Sequence, residues 1–549
     1  MSIEPHPGPQ TAPARRARRH RADLAGPGRL PGYLAATAVA WLALGFVVVG
    51  GGGLDLGRTE ARLGLAIDTG VGPFGQAFGG WEPSVWPLPL ALGRAWAVVF
   101  GDEPANAPVR WPAALAGVAI GLLLARRAAT AIGHRAAVIA ALCWYGSLAL
   151  MDRSAGLGLD LVAGLGTIAA LDRLVAGRAD GKAGAWAALA FLGGGWPPLA
   201  AIGLASVVLG RRASTPGLWF ALPVVGALAA WSAWAWSVAP AGAWAAALML
   251  PMTQKSAWWL APGVILQGLP WTPFAALALW PAVRRGWTAE GRTFAVSWLQ
   301  VAGAAIVAGT VVPGLATAAR PVALAGLALA AASAIDLAWS GADAWPRSAR
   351  RALTSVALAT VAAWVVVSTV GATYLALAVS YYRPLAIVVV CLAAATAAVA
   401  AAGVWTGSRR RLLEAVALVA IGLKVAHAGY YVPEWNYRFS QGPWGRAIGQ
   451  WVPPRRTIYT VHAWEADLAH ATRHPVRQLA NPKLLDYQRD PEPRFVLLHP
   501  AEFDHWPAEA KPLVRIRTMQ DEFGDPRILA RTAGPFSWRR SAAEGREAD

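Results

Sequence analysis

The fold of this chain is decided by the stretch YLAATAVAWLALGFVVVGGGG (33–53), which is soon followed by GRTEARLGLA (57–66). The first segment is apolar over enough residues to cross a bilayer, because a transmembrane helix needs about 20 of them. The second segment places Arg58, Glu60 and Arg62 beside that apolar run. Charge in such a position belongs either to a solvated flank of a membrane helix or to the rim of a site.

The whole chain has the composition of a membrane protein. Of its 549 residues, 56% are hydrophobic and 15% are charged, and the mean hydropathy is +0.40. An ordinary soluble domain carries about 25% charged residues. The apolar residues occur in long runs and not in short alternation, which predicts an all-α polytopic membrane bundle.

The net charge of +18 does not predict a nucleic-acid partner. Much of the basic charge lies in short loops between apolar runs, as the positive-inside rule requires of cytoplasmic loops. No basic soluble module accompanies that charge. The two cysteines, Cys143 and Cys391, each lie inside an apolar run, so they predict small apolar core residues and neither a disulfide nor a metal site.

The arginines also predict the topology. Residues 1–32 are basic and rich in Pro and Gly, which indicates a cytoplasmic N-terminal tail. Later arginine clusters mark the cytoplasmic loops: Arg126–Arg127, Arg173 and Arg178, Arg211–Arg212, Arg284–Arg285, Arg347–Arg351 and Arg409–Arg411. The apolar runs between them predict about thirteen spans. These lie near 33–53, 110–126, 136–151, 157–175, 183–194, 196–210, 217–237, 259–283, 294–312, 316–340, 352–371, 384–404 and 412–431.

With the N-terminus inside, an odd number of spans puts the C-terminus outside. The transmembrane domain then covers 33–431, with a long first external loop at 54–109 and another at 238–258. Within the first loop, VWPLPLALGRAWAVVF (85–100) predicts an interfacial helix and not a span, since a further span would reverse the charge pattern. GGGWPP (193–198) predicts a broken helix at membrane depth, which is tolerated only beside protein or a cavity.

The composition changes after about residue 432. Short apolar segments predict strands: TIYTV (457–461), FVLLH (495–499) and RILART (527–532). Helix-like polar stretches alternate with these strands: WGRAIGQW (444–451) and AWEADLAHAT (463–472). We therefore predict a small extracytoplasmic α/β domain at 432–549, within the usual range of domain sizes.

Few residues of this sequence are candidates for chemistry. Glu60 lies in the first external loop, where it is either a site carboxylate or part of a solvated flank. Asp160 lies near the outer end of the fourth span, and Arg153 precedes it by two helical turns, so both can face one direction. An ionisable residue within a span is a functional hypothesis, although Asp160 in a first helical turn is also favoured by the helix dipole.

Two further cations are candidates for binding an anionic lipid head group, and a third is expected to reach toward the membrane surface. Lys255 precedes Trp258 and Trp259 in an external loop, and interfacial tryptophans of this kind are also ordinary membrane anchors. Arg320 lies at the outer start of its span, and a lysine or arginine there can bind a phosphate. Lys424, in the last span, is expected to snorkel outward.

This order of elements resembles the GT-C membrane glycosyltransferases, from about residue 33 to 535. The likeness is to the aminoarabinose transferase and protein O-mannosyltransferase group, glycosyltransferase families 39 and 83. Four segments carry it: TEARLGLAIDTG (59–70), WPLPLALGRAWAVVFGDEPANAPVRWPAALAG (86–117), RSAGLGLD (153–160) and QGLPWTPF (267–274). The sequence departs from the family pattern at three places. Thr59 stands where the family has an Asp, Val85 and Trp86 where it has a Lys, and GWPP (195–198) where it has Lys-Gly-Pro.

The resemblance implies a glycosyltransferase that uses a polyprenyl-phosphate sugar as donor, with no certain cofactor and no metal assigned. It implies Glu60 and Asp160 as the catalytic residues, and it implies four phosphate-binding residues: Arg58, Arg153, Lys255 and Arg320. The protein would act at the outer face of the cell (inner) membrane on a glycan, lipid or protein acceptor. A catalytically inactive relative that binds lipid-linked sugar or serves as a scaffold is the alternative. A secondary transporter is a third possibility, although only GGGWPP offers the helix break that transport folds use.

Overall fold

The structure is a computed structural model. It describes residues 32–50, 63–64, 76–77, 80–81, 86–100, 107–151, 157–210, 217–238, 258–312, 314–339, 346–438, 442–453, 456–461, 470–479, 493–508, 510–520 and 526–533.

Helices make up most of the first 438 residues. They are α1 (Gly32–Gly50), α2 (Pro87–Phe100), α3 (Ala107–Ala131), α4 (His134–Tyr145), α5 (Leu148–Met151), α6 (Leu157–Val175), α7 (Gly181–Gly194), α8 (Trp196–Leu209), α9 (Leu218–Val238), α10 (Leu260–Gln267), α11 (Thr272–Leu277), α12 (Pro281–Arg285), α13 (Ala289–Val311), α14 (Ala316–Trp339), α15 (Arg347–Ala378), α16 (Arg383–Trp405), α17 (Arg409–Ala426) and α18 (Val432–Arg438). A 3-10 turn, Ser380–Tyr382, joins α15 to α16, and a π-helical turn, His427–Tyr431, joins α17 to α18. Two short paired strands, β1 (Gln76–Ala77) and β2 (Gly80–Trp81), precede α2.

Within the described residues, six helical segments are long and apolar enough to cross a membrane. Each coincides with a span predicted from the sequence: Val109–Ala131, Ala289–Val311, Ala316–Leu337, Arg347–Ala378, Ser380–Trp405 and Arg409–Arg438. Helix α2 has 14 residues, about 21 Å at 1.5 Å per residue, which is shorter than the bilayer core of about 30 Å. Its length fits the prediction that this segment does not span the membrane.

Helix α14 is the centre of the bundle. It packs against α3, α4, α6, α8, α10, α11, α13 and α17, and small residues along it permit these close approaches. A Cβ added at Gly326 would lie 2.6 Å from the carbonyl oxygen of Trp298 on α13. Small residues let transmembrane helices come close enough for extensive van der Waals contact, so the alanine and glycine content of α14 explains how it supports so many neighbours.

Three ion pairs mark one end of the bundle. Arg127 Nε lies 2.8 Å from Asp172 Oδ1, and Arg135 Nε donates to Asp336 Oδ1 over 2.6 Å. At the turn from α6 to α7, Arg173 Nε donates to Asp180 Oδ1 over 2.9 Å. All three pairs adjoin loops rich in arginine, and this end is called the arginine end below.

Asp180 is the N-cap of α7 and accepts a hydrogen bond from the Ala183 backbone over 3.0 Å. The hydrogen bond from Arg173 and, after it, this backbone bond hold the pKa of Asp180 below the ordinary range of an aspartate. The carboxylate therefore stabilises the start of α7 in its charged form.

A five-stranded mixed sheet follows the bundle, preceded by α19 (Gly442–Trp451). Its strands are β3 (Ile458–Thr460), β4 (Val476–Gln478), β5 (Phe495–Leu498), β6 (Leu513–Gln520) and β7 (Pro526–Thr532), and α20 (Pro500–Asp504) lies between β5 and β6. The order is β4-β3-β5-β7-β6, with β3 parallel to β4 and β5 and β7 antiparallel to β5 and β6. Three of these strands match the predicted segments. The domain boundary at 432 stays a prediction.

The sheet lies at the end of the bundle opposite the arginine end, called the sheet end below. One of its faces joins a buried apolar cluster with the first loop, α2, the start of α3 and α19. The cluster includes Leu63, Leu90, Val109, Ile448, Ile458, Phe495, Leu497 and Leu529. Because α3 begins at this contact and ends at Ala131 beside the arginine pairs, the sheet and the arginine pairs cap opposite ends of one bundle.

Two predicted spans are not continuous helices. The segment 259–283 consists of α10, α11 and the start of α12, because Pro270 and Pro281 lack the backbone N–H that a helix needs and disfavour the α conformation before them. The segment 136–151 is divided at Gly146 into α4 and α5. The expected break at 193–198 is present, and it lies at Gly195 with a φ of +77°.

Candidate functional site

The predicted site residues fall into two groups. Asp160 and Arg320 lie in the described part of the chain, and both are half-buried. The other four lie outside the described residues: Arg58, Glu60, Arg153 and Lys255. Roles for these four stay predictions.

Asp160 and Arg320 are brought to one place by a close contact between α6 and α14. A Cβ added at Gly164 would lie 2.9 Å from Cγ of Pro321, so only glycine permits the two helices to approach this closely. Asp160 lies one turn before Gly164 on the same face of α6, and Arg320 directly precedes Pro321 in α14. Each charged residue is therefore within about 6 Å of the contact, measured along its own helix.

Asp160 lies in the first turn of α6, Arg320 is the fifth residue of α14, and both helices begin at the sheet end. The N-terminal turn of a helix favours negative charge, which stabilises Asp160 in α6. An arginine near the start of α14 gains nothing from that dipole, so helix stability does not account for Arg320.

The break at Gly195 accommodates a tryptophan from the first loop. A Cβ on Gly195 would lie 2.4 Å from Cζ2 of Trp86, so the indole occupies the space that a side chain would take. Trp86 also stacks on Trp231 with ring centroids 5.6 Å apart and meets Phe191 edge-on at 6.0 Å. Trp86 stands where the resembling family has a lysine, and here it fixes the start of α2 against α7 and α9.

The same break lies beside Asp160. A Cβ on Gly194 would be 2.9 Å from Cβ of Ala163, and Ala163 follows Asp160 by three residues, or about one turn. The end of α7, the start of α2 and the start of α6 therefore meet about one turn from Asp160. The break and the aspartate are separate features of the sequence, and the fold brings them to within about one turn of each other.

A second meeting of helix breaks lies across α14. Gly146, between α4 and α5, faces α11 so closely that a Cβ there would be 3.2 Å from Trp271 Nε1. The backbone N–H of Leu148 donates to the carbonyl of Leu269 over 3.1 Å. Within the described residues, Trp271 Nε1 and Gln267 Oε1 are buried without a hydrogen-bond partner. Irregular backbone at membrane depth is tolerated where protein surrounds it or where it lines a cavity.

The contact at Gly164 and the helix break at Gly146 lie at about the same depth in the bundle. The hydroxyl of Tyr145, next to Gly146, donates to the carbonyl of Val118 on α3 over 2.8 Å. Ile120, also on α3, lies 4.0 Å from a Cβ built at Gly164. Val118 and Ile120 are separated by about 3 Å along the helix axis, so Gly146 and Gly164 lie at nearly one level.

Lys424 adds a cation at that level that the sequence did not single out as a site residue. Ala420 of α17 lies 3.5 Å from a Cβ built at Gly146, and Lys424 follows it by one turn on the same face. Asp160 likewise lies one turn toward the sheet end from Gly164. Asp160, Arg320 and Lys424, all half-buried, therefore occupy one level near the sheet end, on α6, α14 and α17.

The far end of the last helix is tied to the turn between α15 and α16. The buried hydroxyl of Tyr382 donates to Glu434 Oε1 over 2.9 Å, and Arg438 Nε donates to Glu434 Oε2 over 2.7 Å. The ring of Tyr430 packs edge-on against Tyr382 with centroids 5.2 Å apart. These contacts fix which face of α18 is turned toward α16.

The first loop reaches the sheet just after Glu60 in sequence. Leu63 is 1% exposed within the cluster under the sheet, and a Cβ on Gly64 would lie 2.7 Å from Cε1 of His470. Within the described residues, no three His, Cys, Asp or Glu side chains come together as a metal site would need.

Comparison with solved structures identifies the fold: the chain has the GT-C membrane glycosyltransferase fold. ArnT from Cupriavidus metallidurans bound to undecaprenyl phosphate matches with a TM-score of 0.66 and 18% identity, over 92% of this chain and 99% of ArnT. The apo state of the same ArnT matches with a TM-score of 0.66 and 20% identity, over 91% and 99% of the two chains.

A further match, to the arabinofuranosyltransferase AftD from Mycobacteria, has a TM-score of 0.49 and 13% identity over 93% of this chain and 40% of that one. No protein-family model and no curated protein sequence matches the chain. The likeness to ArnT confirms the fold that the sequence resemblance implied.

Proposed function

We propose that this protein is an integral-membrane glycosyltransferase that moves a sugar from a polyprenyl-phosphate donor to an acceptor hydroxyl. The reaction would take place at the sheet end of the bundle, on the outer face of the cell membrane. The fold supports this class, and one of the similar ArnT structures is bound to undecaprenyl phosphate. The observation that carries the proposal is the level formed by Asp160, Arg320 and Lys424 near the sheet end.

The donor phosphate needs cations at the membrane surface. Arg320 and Lys424 supply two that are half-buried, where a charge–phosphate interaction is screened less than in open water. Arg58, Arg153 and Lys255 are proposed to contribute as well, since sequence places each of them in or next to a segment of the sheet end. Together they would stabilise the phosphate as it leaves.

The acceptor needs a base. We assign this role to Glu60, which precedes the buried Leu63 by three residues, and we assign Asp160 to support. Glu60 takes the proton of the acceptor hydroxyl, the oxygen attacks the anomeric carbon, and the bond from that carbon to the phosphate oxygen breaks. The configuration inverts and polyprenyl phosphate departs. General-base catalysis of this kind typically contributes about 10²- to 10⁴-fold.

Sugar transfer by the purified protein in nanodiscs tests the proposal, with a panel of undecaprenyl-phosphate-linked pentoses and hexoses as donors. Glu60→Gln is expected to lower the rate by at least about 100-fold without loss of donor binding. Glu290→Gln, at the exposed start of α13 near the arginine end, is the matched control and should retain full activity. Full activity of Glu60→Gln would remove Glu60 as the base. A wild-type protein that binds the lipid and transfers no sugar would favour the inactive, lipid-binding alternative.

A further inference from the structure

The last transmembrane helix carries a single stripe of unusual side chains from the middle of the bundle to the sheet end. It consists of Ala420, Lys424, His427, Tyr431 and Trp435, and is called the α17 stripe below. The first three are spaced by four and three residues, which places them on one helical face. The last three form a ladder of rings. His427 stacks on Tyr431 with centroids 4.9 Å apart, and Tyr431 lies 5.7 Å from Trp435.

This stripe faces away from α16. Gly429 packs on α16, because a Cβ there would lie 2.5 Å from Cδ1 of Leu385. Ala420 precedes Gly429 by nine residues, or about two and a half turns, so the two residues lie on opposite faces of the helix. Tyr430 and Glu434 face the turn at Tyr382. The α17 stripe therefore has its inner end on Gly146 and continues outward from there.

The residues of the stripe are not lipid-facing anchors. Aromatic residues at the outer membrane interface are expected to be exposed to lipid and head groups, and this chain has such residues nearby: Tyr381 and Tyr437 are each 80% exposed. The four side chains from Lys424 to Trp435 are half-buried. The difference in exposure distinguishes the α17 stripe from the exposed aromatic residues of the interface.

The π-helical turn at His427–Tyr431 gives the stripe its form. Such turns are rare and occur frequently at functional sites. A π turn holds more residues than an α turn, so residues four apart are separated by less than one full turn. The rings of His427 and Tyr431 therefore lie nearly parallel, with 25° between their planes. The result is a ring-lined wall with a cation at its inner end.

The order of groups along the stripe fits one kind of molecule. A lipid-linked phosphosugar has its tail in the hydrocarbon, then the phosphate, then the sugar ring toward water. Along α17 the ammonium of Lys424 comes first, the imidazole of His427 next, and the rings of Tyr431 and Trp435 last. An ammonium donates to phosphate oxygens, and imidazole and phenol groups donate to or accept from hydroxyls. The C–H face of a sugar ring packs on aromatic rings, whose faces carry partial negative charge.

We infer that the α17 stripe is the subsite for the phosphosugar head of the donor, with Lys424 at the phosphate and the rings of Tyr431 and Trp435 against the sugar. This inference rests on the proposed function. It assigns the choice of sugar to the last helix and to residues distant in sequence from Glu60 and Asp160.

Lipid binding by the full-length protein in nanodiscs, followed by native mass spectrometry, tests the assignment. The probes are undecaprenyl phosphate without a sugar and undecaprenyl phosphate carrying mannose or arabinose. The wild type is expected to prefer at least one sugar-bearing lipid over the bare lipid by about three- to tenfold, the range of an aromatic contact. Trp435→Ala and Tyr431→Leu should abolish that preference while retaining the affinity for bare undecaprenyl phosphate. Lys424→Met should weaken the binding of all three lipids.

Two variants make the result specific. Tyr437→Ala removes an exposed aromatic residue two positions from Trp435 and should leave the preference intact, and Trp435→Phe should restore most of it. A wild type without any preference, or a preference that survives Trp435→Ala and Tyr431→Leu, would overturn the inference. If the wild type binds none of the three lipids, the proposed function itself fails, which is a different outcome from the loss of sugar preference alone.

Discussion

A single methyl group added at Gly164 tests whether the contact between α6 and α14 sets the geometry of the site. In Gly164→Ala the new Cβ would lie 2.9 Å and 3.0 Å from two side-chain atoms of Pro321. Neither the proline ring nor the helix that carries it can move away by rotation of a flexible side chain. The two helices must separate, and Asp160 must move relative to Arg320.

The expected change in the free energy of unfolding follows from two opposed effects. Overpacking of a tight contact costs about 1–3 kcal/mol, while replacing glycine by alanine within a helix favours folding by up to about 1 kcal/mol. Gly303→Ala in α13 is the matched control, because a Cβ at that position meets no atom within 4 Å. The control gains the helix propensity without the clash, so the two variants should differ in free energy of unfolding by about 1–3 kcal/mol.

The assay combines thermal unfolding in nanodiscs with the rate of sugar transfer. For a chain of this length, 1 kcal/mol corresponds to roughly 1 °C in melting temperature, so Gly164→Ala should melt about 1–3 °C below Gly303→Ala. The rate of sugar transfer should fall by a much larger factor than the small change in melting temperature suggests, since a misplacement of about 1 Å can lower a rate on the order of 100-fold. Equal melting temperatures and equal rates in the two variants would refute the view that this contact positions the site.

Three other perturbations have defined outcomes. Trp86→Ala should cost about 3–5 kcal/mol, because it empties the space at the Gly195 break, and unchanged thermal unfolding would contradict that packing role. Asp336→Asn should lower the free energy of unfolding by about 1–3 kcal/mol, because it leaves half-buried Arg135 without its carboxylate. The double variant with Arg135→Met should recover part of this loss. If the effects of the two single variants simply add in the double variant, the ion pair makes no contribution to stability. The lowered pKa of Asp180 means that its contribution to stability is complete above the ordinary aspartate pKa of about 3.9 and is lost as the pH falls below it. Asp180→Asn should remove this acid-dependent component from unfolding curves recorded between pH 6 and pH 3, and identical pH profiles would exclude it.

Much of the bundle could be predicted because its determinants are local. Apolar length and arginine clusters were sufficient to predict all six of the long spans, and the proline and glycine residues of 193–198 were sufficient to predict the break at Gly195. The segment 259–283 is predicted as one span and is divided into α10, α11 and the start of α12. Pro270 and Pro281 carry the same signal there, but the apolar length of the segment favours a single span.

The sheet was predicted in part for a similar reason. Strands β3, β5 and β7 are short apolar runs and are apparent in the sequence. Strand β6, Leu513–Gln520, was missed although Val514, Arg515, Ile516 and Arg517 alternate apolar and charged residues with the period of a strand. Strand β4 has three residues, and its existence depends on pairing with β3.

The composition of the site could not be predicted in the same way. Asp160 and Arg320 are 160 residues apart in sequence, and only the contact of Gly164 with Pro321 brings them to one level. Lys424 was interpreted as a snorkelling side chain, because helical periodicity alone does not tell which face of α17 meets lipid. That face is set by Gly429 against Leu385 and by Ala420 against Gly146, contacts that depend on the whole bundle.

The continuous helical rod from Arg409 to Arg438 also acts as a lever. It has 30 residues, about 45 Å of length, and it is held near its middle, where a Cβ on Gly422 would meet the ring of Trp364 at 2.2 Å. From that fulcrum to Arg438 the arm is about 24 Å, so a tilt of about 5° displaces its tip by roughly 2 Å. The same tilt would displace the arginine end in the opposite direction by roughly 2 Å, since Arg409 lies about 20 Å from Gly422.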